Sequence, residues 1–247
     1  MSLNPLSVLK AVRELKKRTG AALPLGVAGA RELVPLLARD LRAGGRAEAV
    51  VEQRTDAIAA LVWVGDADEE RLRSASRAGV PIVAVTEAAA FPYVLAEDLI
   101  RVPPGSGFPV DAIAAALAAR LDERAAPLAA RLPALRPAVC KHLITSYAKK
   151  NAVVAAAVFV PGVDMPVLTL NQIRLILWIA VAYGEDVDRQ RAIELAGVVG
   201  AGFGFRAAAR ELLDFVPVAG WAVKGAVAYT GTRALGEAAV RYFDARA

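Results

Sequence analysis

Short apolar runs alternate with helix-like stretches over the first half of the chain, and this alternation restricts the possible folds more than any other feature. The apolar runs cover residues 23–27, 57–64, 81–85 and 99–102, and a weaker run covers 49–53. Patterns typical of helices lie between them, at residues 31–42, 69–78 and 111–124. Because strands that alternate with helices form parallel sheets, this half predicts an α/β domain with helices on both faces of the sheet.

The strand pattern stops near residue 125, and the rest of the chain has the periodicity of helices. Helices are predicted over residues 137–160, 167–183, 188–213 and 218–246. We therefore expect an α/β domain at residues 1–125 and an all-helical bundle at residues 137–247. The stretch between them, from Ala125 to Pro137, is the predicted domain boundary.

The N-terminal segment predicts a short amphipathic helix that begins at Asn4 and Pro5. Its two faces consist of apolar residues (Val8, Val12, Leu15) and basic residues (Lys10, Arg13, Lys16, Lys17). The helix is either a membrane-surface anchor or an element that lies on the following domain with its charges solvated. The second interpretation is favoured because the apolar face has no Trp or Phe to enter a membrane interface.

Composition excludes several classes of protein. The chain is 56% hydrophobic but only 6% aromatic, which excludes a disordered chain and suits closely packed helices. One Cys and one His exclude a disulfide framework and a zinc site of the Cys/His type, and we expect no metal and no cofactor. Residues 1–20 lack the pattern of a secretion signal, so we expect a cytoplasmic protein.

The basic charge is concentrated in the second half of the chain. Residues 1–135 hold 17 Lys/Arg and 16 Asp/Glu, whereas residues 136–247 hold 13 and 9. This excess has no basic run interleaved with aromatics, so nucleic acid is not an expected partner. An anionic surface, such as the inner face of the plasma membrane, suits it better, and Lys149 and Lys150 precede an apolar run.

A membrane-spanning helix is not favoured by the sequence. In the second half of the chain, the longest charge-free stretches, residues 151–163 and 195–205, are thirteen and eleven residues long, below the roughly 18 to 20 that a spanning helix needs. A longer apolar window, residues 165–184, contains Arg174 near its centre. The pattern therefore indicates a protein that is soluble or peripheral on a membrane.

The turn after the first predicted strand, residues 26–32, is a candidate phosphate-binding loop. Gly26 and Gly29 are the residues that would approach a phosphate. The Lys and the Ser/Thr that complete a phosphate loop are absent, as is the three-glycine spacing of a dinucleotide site. An ordinary strand-to-helix turn is therefore the favoured interpretation.

An acidic cluster follows the second long apolar run, at residues 66–70. Carboxylates beyond the carboxyl end of a strand could hold magnesium. Asp66 or Asp68 would also be a good helix N-cap, and Glu69 and Glu70 suit a first helical turn, so capping is favoured. Cys140 and His142 are two apart on a predicted helix and do not share a face, and no catalytic residues are predicted.

An ordered series of motifs runs through the second half of the chain, at residues 161–172, 182–184, 202–206, 216–220 and 229–236. Over residues 137–243 this series resembles a bacterial family of unknown function that accompanies GTPase domains and includes the YcjF-like inner-membrane proteins. The motif residues, for which we expect structural or interaction roles, are Pro161, Gly162, Asp164, Pro166, Gln172, Tyr183, Gly184, Arg206, Pro217, Gly220, Thr232 and Gly236.

The resemblance implies a membrane-linked or GTPase-associated protein and supplies no catalytic residue. The element order of residues 1–125 also resembles a GTPase-like domain, Rossmann-like with degenerate P-loop motifs. The segment 85–87 lies where a GTPase has its guanine-binding Asn-Lys-x-Asp, and the Lys and Asp are absent. Two hypotheses follow: a non-enzymatic regulatory or scaffold protein associated with a GTPase or a membrane, or a nucleotide-responsive regulator with an atypical phosphate site.

Overall fold

The computed structural model describes residues 5–19, 23–103, 105–157, 165–188 and 220–246, which fall into two compact units. One unit is Thr19–His142, and the other combines Met1–Arg18 with Leu143–Ala247. The first is an α/β unit and the second is helical, which confirms the predicted fold class. The described residues contain eight α-helices, α1 to α8: Pro5–Arg18, Val34–Arg42, Glu69–Arg77, Val110–Leu121, Ala126–Arg131, Arg136–Ala157, Met165–Ala182 and Gly220–Asp244.

The α/β unit is built on a five-stranded, fully parallel sheet in the order β2-β1-β3-β4-β5. The strands β1 to β5 are Leu25–Gly29, Val50–Glu52, Ala60–Val64, Ile82–Thr86 and Leu99–Arg101. All the predicted strands are confirmed, including the weak one at residues 49–53. Strands β3 and β4 are buried along their whole length, which explains their continuous apolar sequences.

Helices cover the two faces of the sheet unequally. Helix α2 contacts β1 and β2, and α4 contacts β3 and β4. Since the crossovers from β1 to β2 and from β3 to β4 run in opposite directions along the sheet, right-handed connections place α2 and α3 on opposite faces. The α3 face has an apolar core that includes Leu72 and Ala75 of α3.

Two connections on this sheet lack an α-helix. The chain passes from β2 to β3 through only the seven residues 53–59, and from β4 to β5 through residues 87–98, which contain a 3-10 turn at Ala96–Asp98. Parallel strands normally need a crossover of about a dozen residues or more. Two residues of the short crossover, Gln53 and Ala57, have positive φ angles of 56° and 49°, which tighten the path.

The short crossover lies directly on β1. A Cβ atom added to Gly26 would overlap Ile58 Cδ1 and lie 2.9 Å from the carbonyl oxygen of Arg54. Ile58 belongs to the buried cluster on the α3 face, so the crossover takes the place of a covering helix over β1. Gly26 is therefore required for packing.

The two compact units divide between His142 and Leu143, after the segment 125–137 that the sequence predicts as the domain boundary. Residues 125–137 do not form a linker: they hold α5 and a 3-10 turn at Pro133–Leu135. Leu128, Leu132 and Leu135 are fully buried within the α/β unit. The prolines suggested a linker, but Pro127 and Pro133 each lie in the first turn of a helix, where a missing N–H costs little.

The N-terminal helix α1 belongs to the helical unit, whereas the sequence predicts it within the α/β domain of residues 1–125. It packs on α7 with Ala11, Val12 and Leu15 buried, and Glu14 forms an ion pair with Arg174. Arg174, which interrupts the apolar sequence of α7, is thus paired within the helical unit.

Glycines of α8 allow close contact between helices of this unit. A Cβ on Gly236 would lie 3.2 Å from Leu175 Cδ2 and would overlap Ile144. Most of the predicted helix at residues 188–213 lies outside the described residues. Among the helices that are described, none is both long enough and apolar enough to span a membrane.

We predict that Gly26→Ala destabilises the protein by about 1–3 kcal/mol, since the added methyl group meets the backbone of the crossover as well as Ile58. Gly107→Ala is the matched control, because a Cβ there meets no described atom within 4 Å. Urea denaturation compares the two free energies of unfolding. Equal stability of the two variants would show that the crossover does not press on β1.

Candidate functional site

Ligands of open parallel sheets bind beyond the carboxyl ends of the strands. In a parallel sheet of order β2-β1-β3-β4-β5, the direction in which the chain progresses reverses between β1 and β3. Ligands of such sheets bind in the crevice that this reversal opens beyond the strand ends. The turns after β1 and β3 would therefore form the walls of the site.

Backbone contacts close this crevice. The Ala30 N–H donates to the Val64 carbonyl at 2.8 Å, which extends the pairing of β1 and β3 one residue beyond β1. Gly29 has a φ of 125°, and a Cβ there would overlap Val64. Gly65 lies in the turn after β3, and a Cβ added to it would lie 2.9 Å from Ala30 Cβ in the turn after β1. The two turns thus touch each other.

A polar cluster of Gln53, Arg71 and Trp63 lies at the same edge. Gln53 Nε2 donates to the Gly29 carbonyl at 3.2 Å. Arg71, on α3, donates from Nη1 to Gln53 Oε1 at 3.1 Å and from Nη2 to the Gln53 carbonyl at 2.9 Å. The Arg71 guanidinium lies 5.1 Å from the ring centroid of Trp63, whose indole N–H donates to the Asp66 carbonyl.

The sequence did not indicate this cluster. Gln53 follows β2 and Arg71 lies inside α3, so their contact depends on the path of the short crossover. The positive φ of Gln53 turns its backbone toward α3, and no local pattern predicts that conformation for a glutamine. Through its bond to the Gly29 carbonyl, the cluster is attached to the end of β1.

The two glycines predicted for a phosphate loop both lie within β1. Gly26 lies inside β1 beneath the crossover, and Gly29 is the last residue of β1. The following turn passes through Ala30, whose carbonyl accepts from the N–H groups of Leu33 and Val34, and then enters α2. The turn thus connects β1 directly to α2.

The acidic cluster is a helix start. Asp68 is the N-cap of α3, and its carboxylate accepts from the Arg71 backbone N–H at 3.1 Å. Glu69 and Glu70 occupy the first turn, where the helix dipole favours negative charge. The capping interpretation is confirmed. Within the described ranges, no group of three or more His, Cys, Asp or Glu side chains is arranged to hold a metal ion.

The segment after β4 is anchored at both ends. Thr86 Oγ1 accepts from the Ala88 N–H at 3.2 Å, and Phe91 enters the core of the α3 face. Tyr93 has a φ of 61°, an uncommon conformation for an aromatic residue, and its hydroxyl accepts from Arg73 Nε at 2.8 Å. That bond, followed by the bond to Glu69, raises the pKa of Arg73, which remains a cation.

A buried carboxylate lies at the amino end of β5. Asp98 is 3% exposed and accepts from Arg120 Nε of α4, while Arg120 Nη2 also donates to Glu97 at 3.3 Å. Burial raises the pKa of Asp98 above its usual value, although Arg120 opposes this effect. The pair ties the β4–β5 connection to α4.

The helical unit contains a buried polar chain that includes a motif residue. Asn151 of α6 donates from Nδ2 to Thr232 Oγ1 of α8 at 2.9 Å. Asn171 of α7 donates from Nδ2 to Asn151 Oδ1 at 2.8 Å. Asn151 and Thr232 are fully buried, so the chain connects three helices inside the unit. Asn151 and Asn171 were not among the predicted site residues.

A second group of motif residues lies where α7 ends. Tyr183 stacks on Phe243 of α8 with centroids 5.3 Å apart, and its hydroxyl donates to Asp244. Gly184 follows with a φ of 81°, the left-handed conformation typical of a residue just beyond a helix end. The sequence 182–184 therefore ends α7 and attaches it to α8.

The remaining motif residues divide between described and undescribed positions. Pro166 is exposed in the first turn of α7, Gln172 is half-buried further along it, and Gly220 begins α8. Gly236 is the helix contact described above. The predictions that fall outside the described residues concern Pro161, Gly162, Asp164, Arg206 and Pro217.

Cys140 and His142 differ in environment, as their spacing on α6 predicts. Cys140 is buried, whereas His142 is half-buried with Nε2 lying 3.1 Å from Asp122 Oδ1. Asp122 ends α4 with a φ of 49°. The sequence did not reveal this partner, because the two residues are twenty positions apart. The pair links the end of α4 to α6.

These observations define an α/β unit with a closed carboxyl edge and a helical unit with a buried polar chain. Comparison of the chain with family models, with curated proteins and with solved structures finds no match.

We predict that Arg120→Met lowers the free energy of unfolding by about 3 kcal/mol near neutral pH, because it leaves the buried Asp98 carboxylate unpaired. A carboxyl whose pKa is raised by folding stabilises the fold below its unfolded pKa of about 3.9, and this contribution is lost as pH rises. The difference in free energy of unfolding between the wild type and Arg120→Met should therefore shrink as pH falls from neutral to about 4. Urea denaturation of both proteins across this pH range measures that difference.

Two variants make this prediction specific. Arg124→Met removes an exposed arginine close to Arg120 in sequence and should change stability little at any pH. Combining Arg120→Met with Asp98→Asn should remove most of the pH dependence, because no ionisable carboxyl remains at the position. A pH dependence that persists in the double variant would assign it to another group.

Proposed function

We propose that this chain is a non-enzymatic regulatory or scaffold protein linked to a GTPase, and that its helical unit contacts the partner and an anionic membrane surface. The proposal extends the resemblance of residues 137–243 to the GTPase-associated family. It treats the α/β unit as a GTPase-like domain that has lost its nucleotide site.

The observation that supports a non-enzymatic role most directly is the closed carboxyl edge. A phosphate needs free N–H groups at a turn or a helix N-terminus. At this edge the Ala30 N–H is bonded to Val64, and the first N–H groups entering α2 are bonded to the Ala30 carbonyl. The acidic residues at the start of α3 cap that helix. These particular N–H groups are thus used within the fold and are not free for a phosphate.

The described motif residues of the helical unit support the same conclusion. Thr232 accepts a buried hydrogen bond, Gly236 permits a close helix contact, and Tyr183 stacks on Phe243. Each contact fixes helices to one another and uses no reactive group. A set of motifs that builds a defined helical surface suits a protein whose role is to bind a partner.

The membrane part of the proposal depends on an exposed region of α6. Lys149 and Lys150 are exposed there, and Val153, one turn further, is 68% exposed. Lysines beside an exposed apolar residue match the interface of an anionic bilayer. Lys150 also lies over the ring of Tyr147, with its Nζ 4.7 Å from the ring centroid.

We predict that the double substitution Lys149→Glu/Lys150→Glu weakens binding to vesicles containing phosphatidylglycerol by about 30-fold or more, since each basic residue near such a surface contributes about 1 kcal/mol. Co-sedimentation with vesicles measures this, in low and in high salt. The matched control is Arg101→Glu/Arg124→Glu, which changes the net charge equally at two exposed positions of the α/β unit. Equal binding of the two variants would contradict the proposed surface.

We also predict that labelled GTP and ATP bind more weakly than about millimolar, because a binding energy beyond about −4 kcal/mol would require the closed edge to open. Equilibrium dialysis of the purified chain with magnesium measures both affinities. Tighter binding of either nucleotide would replace the scaffold proposal with the alternative, a nucleotide-responsive regulator. If tight binding occurs, Gln53→Ala and Arg71→Ala would tell whether it takes place at the edge.

A further inference from the structure

Helix α3 is the only α-helix on its face of the sheet within the described residues of the α/β unit. The connections on either side of it, residues 53–59 and 87–98, contain no α-helix. Leu72 and Ala75 are buried against the sheet, while the outward positions of α3 remain exposed. The outer side of α3 is thus an exposed surface, and the connections 53–59 and 87–98 place no α-helix beside it.

The exposed stripe of α3 carries opposite charges at its two ends. Glu70, Ser74 and Arg77 are spaced i, i+4 and i+7, so they follow one line along the helix, and all three are exposed. Glu69 and Arg73 already pair with each other at 2.8 Å. By contrast, neither Glu70 nor Arg77 has an ion pair in the part of the chain that the structure describes.

The charges of this stripe are complementary to those of a second α3 helix that runs antiparallel to it. If a second α3 packs antiparallel across a two-fold axis near Ser74, Glu70 of one copy faces Arg77 of the other, and symmetry produces the same pair again. The two residues are about 10 Å apart along the helix, which matches this register. The small Ser74 side chain at the centre allows the helices to approach.

An exposed tyrosine lies beside α3. Tyr93 is 43% exposed, and its hydroxyl accepts from Arg73 Nε of α3 at 2.8 Å. Tyrosines are enriched at protein interfaces, where they bury a large ring and keep a polar end. Tyr93 also has an unfavourable positive φ, which is the kind of strain found at sites of function.

We propose that the α3 surface, defined as Glu70, Ser74 and Arg77 with the neighbouring Tyr93, is a dimerisation surface for a second copy of this chain. The second copy is the occupant that the charges favour. A partner of uniform charge would match only one end of α3, whereas an antiparallel copy matches both. This inference goes beyond the proposed function and does not depend on it.

The test is the oligomeric state of the full chain by sedimentation velocity over a wide concentration range. We expect a monomer–dimer equilibrium that weakens as salt is added. Glu70→Arg and Arg77→Glu should each weaken dimerisation at least about tenfold, because each places like charges opposite one another twice. Asp111→Arg is the matched control, since Asp111 is also the exposed second residue of a helix, α4. It should leave the dimer unchanged.

Two charge-exchange experiments distinguish the loss of a charge contact from a folding defect. The double variant Glu70→Arg/Arg77→Glu should regain dimerisation, because the pairs re-form with exchanged signs. An equimolar mixture of the two single variants should form a heterodimer, since one copy then presents two arginines and the other two glutamates. A wild type that stays monomeric, or a dimer that Glu70→Arg does not weaken, would overturn the proposal.

Discussion

The close contact between the 53–59 crossover and β1 is the constraint on which much of the α/β unit depends. Seven residues cross from β2 to β3 over the surface of β1, and they can do so only because Gly26 has no side chain. Ile58 then enters the core in place of a helix residue. The sheet keeps a parallel order with one fewer covering helix, and the burial that a helix would supply comes from a single loop.

The crossover also determines what lies at the carboxyl edge. Because the loop begins immediately after β2, it places Gln53 over the end of β1, within hydrogen-bonding distance of Gly29. Arg71 then meets Gln53 from α3, and its guanidinium lies over Trp63. The edge where such sheets bind ligands is therefore filled by bonds between the elements that border it. Among the described residues of the α/β unit, the same short path leaves α3 without a neighbouring α-helix over β1.

The sequence predicted the elements better than their assembly. Strands such as β3 and β4 are apolar at every position because both of their faces are buried, and that burial is visible as a local pattern. The Asp68 cap was predictable for the same reason, since a cap depends on residues only a few positions apart. By contrast, the position of α1 on α7 and the burial of α5 depend on tertiary packing between distant segments. Gly26 and Gly29 show why the assembly was hard to predict. Both glycines are visible in the sequence, but the reason why these positions need glycine is a close backbone contact with residues more than twenty positions away.

The buried polar chain of the helical unit fixes how three of its helices align with one another. Asn151 uses its amide to donate to Thr232 and its carbonyl to accept from Asn171, so both ends of one side chain are satisfied by different helices. A shift of α8 or α7 by one turn would leave a buried amide without a partner, at a cost of about 1–3 kcal/mol. Apolar packing alone tolerates such shifts more readily, whereas a polar chain selects one register. The contacts of Gly236 with Ile144 and Leu175 belong to that register, because only there does a residue without a side chain meet those two.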